Sequence, residues 1–228
     1  VLFRSSKSAL FQFDGRPFEK EHAIEMQLPF LQKTVADFEL IPLIVGNLKN
    51  DEPLLVAKEL AKIINPNTLV VISSDFVHYG KTYEYEPCTN NICSTIRMID
   101  SNAAQAISRQ SFENFYGLLS QTEANICGQN PLKVLMCLAR LTSFGMLNAQ
   151  TASYYTSAHM LGARNEQGAI DPTKLMTELP DNAMQTSVSY IGTILRNEIP
   201  QLPSLTTYEQ KTLLSWTRKA ITHALNGS

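Results

Sequence analysis

Cysteine, net basic charge and long apolar runs are all in short supply here, and each shortage removes a class of protein. Only four cysteines, Cys88, Cys93, Cys127 and Cys137, occur in 228 residues. None forms a Cys-x-x-Cys pair, so neither a structural zinc site nor a secreted disulfide scaffold is indicated. The thiols read as reduced, with Cys88, Cys93 and Cys137 inert, and the expected compartment is cytoplasmic. The formal net charge is -2, which argues against a nucleic-acid footprint and against a polybasic membrane patch. No apolar run is long enough to span a bilayer, and no internal repeat or low-complexity tract occurs. The chain opens on Val1 with no basic-then-apolar leader, and is read as a domain entered partway, truncated at its N-terminus.

What remains is the composition of a packed domain, with 44% apolar and 18% charged residues. Strand and helix patterns alternate along it. Residues 38–46 (Phe-Glu-Leu-Ile-Pro-Leu-Ile-Val-Gly) read as a strand, irregular at Pro42. Residues 51–66 open on Asp-Glu-Pro, close on Asn-Pro and carry apolar residues at helical spacing. Residues 68–75 form a continuous β-branched run that suits a central strand buried on both faces. Further helices are expected at 90–108, from Ser111, and from Pro131 with Asn130 as its cap. Late strands are expected at 151–156 and 186–195, separated by a polar loop from Asn165 to Asp181. The pattern implies an α/β fold with a central mixed or parallel sheet flanked by helices. Ligands in such sheets gather at the carboxyl ends of strands, where Asp75 and His78 stand.

Past residue 198 the composition shifts. Residues 199–204 read as a Pro-marked linker, and 205–228 as an amphipathic helix opened by the capping pair Thr206 and Glu209.

Three side chains could carry chemistry. His22 lies in Glu-His-Ala-Ile-Glu-Met-Gln-Leu-Pro-Phe, His78 in Ser-Ser-Asp-Phe-Val-His-Tyr-Gly, and Cys127 in Asn-Ile-Cys-Gly-Gln-Asn-Pro. Cys127 precedes a helix start, a place that favours the metal-binding thiolate. Two imidazoles and a thiolate suit iron, copper or zinc. Each residue also has a plain structural role open to it: a helix-start histidine can cap, Ser-Ser-Asp can end a strand, and a cysteine can be a small buried hydrophobe. His159 and His223 lack supporting context and read as structural or solvated.

Taken in order, those three motifs, with Ser187-Val188-Ser189-Tyr190 as a closing strand, resemble the Memo family over residues 1–198. The resemblance implies the fold of the class III extradiol dioxygenases and a mononuclear metal site. It assigns His22 and Cys127 as metal ligands, places His78 in the acid/base position and sets Asp75 beside it as its partner. A further histidine ligand would come from a Pro-His-Ala-Gly-like segment that this chain does not contain. Residues 205–214 and 218–221 resemble the opening helix of an AMMECR domain. Together these imply protein B of the AmmeMemoRadiSam system of bacteria and archaea, fused to the start of protein A. The implied partners are a radical S-adenosylmethionine protein and the AMMECR domain, and the implied metal is iron or copper, with zinc the alternative. The implied activity is metal-dependent and oxygenase-like, on a small-molecule or peptide substrate. A non-catalytic peptide-binding module and a metal carrier are the competing readings. No arginine cluster surrounds the motifs, which weakens a phosphopeptide version.

Overall fold

The computed structural model describes residues 10–35, 37–141 and 148–196. The chain divides into two units, Val1–Asn197 and Glu198–Ser228, and every described residue lies in the first. The expected linker at 199–204, the AMMECR-like helix at 205–228 and His223 lie outside the described residues.

Among the described residues, six α-helices and three strands make an α/β unit. In order they are α1 (Ala23–Thr34), α2 (Glu52–Leu60), β1 (His78–Tyr79), α3 (Ile92–Ser108), α4 (Phe112–Thr122), α5 (Gln129–Leu141), β2 (Asn148–Thr156), α6 (Ser157–Ala163) and β3 (Ser187–Arg196). The strands form one sheet in the order β1-β3-β2. Both pairings are antiparallel, with His78 opposite Val188 and Thr156 opposite Ser189. The expected parallel or mixed sheet is therefore corrected, among the described residues, to a small antiparallel one.

The cause is traceable. Residues 38–46 and 68–75 were expected as strands, but neither forms a ladder. A strand exists only with a neighbour to take its amides and carbonyls, and among the described residues no strand pairs with either run. Pairing of the second run starts only at its end, where the Phe76 N–H reaches the Ser189 carbonyl at 2.9 Å. Apolar residues of this run expected to be doubly buried are instead exposed, Leu69 at 69% and Val71 at 45%, while Ile72 packs partly buried against the main core.

The helices follow their apolar stripes. Ile92, Ile96, Ile99, Ala103 and Ala106 of α3 are buried with Phe115 of α4, Met136 of α5 and Val77. Each such large side chain contributes about 1.5–3 kcal/mol by leaving water. Val56 and Ala57 of α2 meet Val134 and Leu138 of α5 in a second cluster. The helix α5 starts at Gln129, two residues before the expected Pro131. Pro131 is tolerated there because first-turn amides have no intrahelical acceptor to lose.

Helix α3 begins at Ile92 rather than Asn90, and its cap comes from far away. The Asp181 carboxylate accepts the Ile92 N–H at 2.7 Å and the Asn91 N–H at 3.1 Å. An anion here meets both free amides and the positive end of the helix dipole. Asp181→Ala is expected to cost about 1–2 kcal/mol of unfolding free energy in urea denaturation.

His159 is structural, in line with its reading from sequence. It is buried. Its Nε2–H donates to the Thr177 carbonyl at 2.9 Å, so Nδ1 accepts from the Thr156 hydroxyl at 2.8 Å. This ties the 165–181 loop to the start of α6. No helix among the described residues is long and apolar enough to cross a membrane.

Candidate metal centre

The stretch Ser74–His78 leads into β1, and the loop between α4 and α5 crosses it. Hydrogen bonds sew the two together. The Asn125 side chain clasps the backbone of His78 from both sides, accepting its N–H and donating to its carbonyl, each at 2.9 Å. The Ser74 hydroxyl accepts the Gly128 N–H at 2.9 Å and donates to the Asp75 carbonyl at 2.8 Å. Between these anchors the Asp75 N–H donates to the Cys127 sulfur at 3.1 Å.

Gly128 is needed for this approach. A Cβ there would overlap the Ser74 side chain. The glycine after the cysteine is thus what lets the loop close on the stretch leading into β1.

His78 is oriented by what its other nitrogen does. Nδ1 lies 3.2 Å from the Asn125 carbonyl, which can only accept, so Nδ1 carries the hydrogen. Nε2 is left facing Asp75, 3.7 Å from its Oδ2. The Asp75 carboxylate beside it holds the imidazole above its usual range, while partial burial opposes this and the Asn125 carbonyl adds to it. The ring edge of His78 meets Tyr83 at a centroid distance of 5.2 Å.

One ligating atom each from Asp75, His78 and Cys127 lie within 4.8 Å of one another. Among the described residues this is the one cluster of three or more such donors. Ligands on a single ion with bonds of about 2.0–2.3 Å stand roughly 3–4.5 Å apart, so carboxylate, imidazole and thiolate here, within 4.8 Å, need only a small inward shift to share a cation. The mixed donor set suits iron, copper or zinc better than calcium or magnesium. The identity of the metal is left to experiment.

The residues singled out from sequence therefore divide. Asp75, His78 and Cys127 are brought together although 52 residues separate the first from the last. His22 is exposed at the N-cap of α1 and is not in the cluster. Its helix is nevertheless tied to the same stretch, because Gln27 of α1 donates to the Ser73 hydroxyl at 3.1 Å. Sequence reasoning assigned no role to Asn125, Ser74 or Gly128. All three lie inside or beside the motifs around His78 and Cys127, and that adjacency was the available signal.

Comparison with known proteins adds to this geometry. The family described as Memo-like protein matches residues 3–169. The memo-1 homolog of Caenorhabditis elegans is 32% identical over 130 residues, covering 54% of this chain and 37% of that protein. MEMO1 of Homo sapiens is 31% identical over 137 residues, 56% of this chain and 46% of that protein. MEMO1 of Danio rerio is 29% identical over 150 residues, 61% of this chain and 50% of that protein. The chain thus spans half or less of the length of these curated relatives.

Proposed function

This chain belongs to the Memo-like family, and from that premise we propose that it carries the metal site of a redox enzyme of oxygenase-like type. The supporting observation is the convergence of a thiol, an imidazole and a carboxylate within 4.8 Å. In this reading the architecture is that of the class III extradiol dioxygenases. Cys127 and His22 hold the metal, iron or copper before zinc. The bound metal would supply a Lewis-acid and one-electron centre for a small-molecule or peptide substrate.

The chain's own residues supply the rest. Asn125 fixes the His78 tautomer, so Nε2 is the atom that takes or gives a proton. Asp75 steadies the imidazolium that forms, through its carboxylate 3.7 Å away. Ser74 and Gly128 keep the Cys127 sulfur beside the stretch that leads into β1. A thiolate in place of a carboxylate ligand changes the metal's electronics, so the reaction cannot be copied from the dioxygenases by fold alone. In the same reading the protein works with a radical S-adenosylmethionine protein and an AMMECR domain. That part rests on the resemblance at 205–228.

The test is purification without oxygen, metal analysis, and oxygen uptake by iron- or copper-loaded protein. Redox-active metal with oxygen consumption supports the enzyme. Peptide affinity that survives metal removal would replace it with a binding module, and metal transfer to an acceptor without turnover with a carrier.

A further inference from the structure

Four consecutive amides run through the candidate site, and each has its own acceptor. Asp75 N–H goes to Cys127 Sγ, Phe76 N–H to the Ser189 carbonyl, and His78 N–H to Asn125 Oδ1. The fourth, from Val77, goes to Oδ1 of Asp100 at 3.1 Å. A side chain from the middle of α3 thus does what a neighbouring strand would otherwise do.

The choice of residue is physically expensive. Asp100 is fully buried. No Lys, Arg or His nitrogen among the described residues lies within ion-pair distance of it. Its second oxygen accepts the Tyr154 hydroxyl at 3.0 Å. Tyr154 is itself covered by the Arg97 guanidinium, 5.9 Å from the ring centre. Burial pushes the Asp100 carboxyl up, and the donors around it only partly offset this. An asparagine could accept the same Val77 amide without burying a charge. The need for an acceptor therefore explains a polar residue at this position and leaves the carboxylate itself unexplained.

The geometry points to Asp100 as a positioning residue and buried counter-charge for the metal centre: it grips the backbone between Asp75 and His78 and places a negative charge behind the stretch that flanks the cation held at Cys127. A cation on the open side of the stretch is attracted by the carboxylate behind it, and the low-dielectric core between them screens that attraction weakly. The Tyr154 hydroxyl keeps the charge in place by hydrogen bonding to the ionised form.

This inference rests on the metal reading, and one titration separates the two. Cobalt(II) affinity is measured on the full chain and on Asp100→Asn, Asp100→Ala and Tyr154→Phe, with circular dichroism and thermal unfolding as controls. Asp100→Asn keeps the acceptor, loses the charge and relieves a desolvation cost. It is expected to fold with an unchanged or higher Tm while binding cobalt about 10-fold more weakly, the size typical of outer partners of metal ligands. Asp100→Ala loses both roles and is expected to bind more weakly still. Tyr154→Phe leaves the carboxylate in place and is expected to weaken binding in the same direction by a smaller factor. If Asp100→Asn and Tyr154→Phe both bind cobalt as the unmodified chain does, Asp100 is a structural acceptor only and the inference is overturned. If the unmodified chain shows no cobalt binding, the metal reading itself fails and this inference goes with it.

Discussion

Gly80→Ala is expected to lower the unfolding free energy by about 2–4 kcal/mol. Gly80 follows β1 with φ at +119°, a backbone conformation that side chains resist. A Cβ there would overlap the carbonyl oxygen of Gln185 and lie 3.2 Å from the Thr186 Cα. Both obstacles are backbone just before β3, so neither can rotate away. Gly80 also exchanges hydrogen bonds with Tyr85, its N–H donating to the Tyr85 carbonyl at 2.9 Å. Gly117→Ala is the matched control. That glycine sits within α4 with nothing within 4 Å of its added carbon, so the change is expected to stabilise by up to about 1 kcal/mol. Urea denaturation of the two variants reads opposite signs. Equal effects would show that the turn after β1 is looser than described. Because Gly80 is two residues from His78, weaker metal binding is expected to accompany the loss of stability.

The second large effect separates ligand from proton carrier. Cys127→Ser is expected to reduce copper(I) affinity by about 10-fold or more, and zinc affinity less, because a thiolate favours the softer ion. His78→Ala is expected to leave metal content nearly unchanged and to abolish turnover, since Nε2 is assigned to moving a proton. The cluster of Asp75, His78 and Cys127 makes this informative. If His78→Ala loses its metal, His78 is a ligand and the assignment of His22 falls. Binding is also expected to weaken as pH falls. The raised imidazole holds its proton to higher pH than a free histidine and so brings a positive charge beside the cation earlier in the titration. Equilibrium competition with a chromophoric chelator at several pH values reads the three effects on metal binding, and oxygen uptake reads turnover.

Much of the helical structure was legible because it is local. The stripe at Ile92, Ile96, Ile99, Ala103 and Ala106 needs only the α-helical period, and the structure buries all five. Strands are another matter. Residues 38–46 and 68–75 carry strand composition, yet a ladder needs a partner, and a partner cannot be read from local sequence. The strands at 148–156 and 187–196 were legible within a few residues because they have each other. The site divides along the same line. His78, Asp75 and Cys127 stand in ordered motifs, and the family resemblance of those motifs, not their spacing, singled them out. Asn125 and Gly128 act across 47 and 54 residues, and Asp100 reaches Val77 from 23 residues away in α3. An asparagine, a glycine and a mid-helix aspartate are ordinary until their partners are known. The α3 start was misplaced by two residues for the same reason, since its cap, Asp181, lies some 90 residues downstream.

The central claim is that Cys127 ligates a metal beside Asp75 and His78. Cobalt(II) absorption tests it directly, because a thiolate bound to cobalt gives an intense near-ultraviolet charge-transfer band that serine cannot give. The account predicts that band on titrating the chain, and its loss in Cys127→Ser with the fold unchanged. A spectrum without the band, or one that is the same in Cys127→Ser, would contradict it.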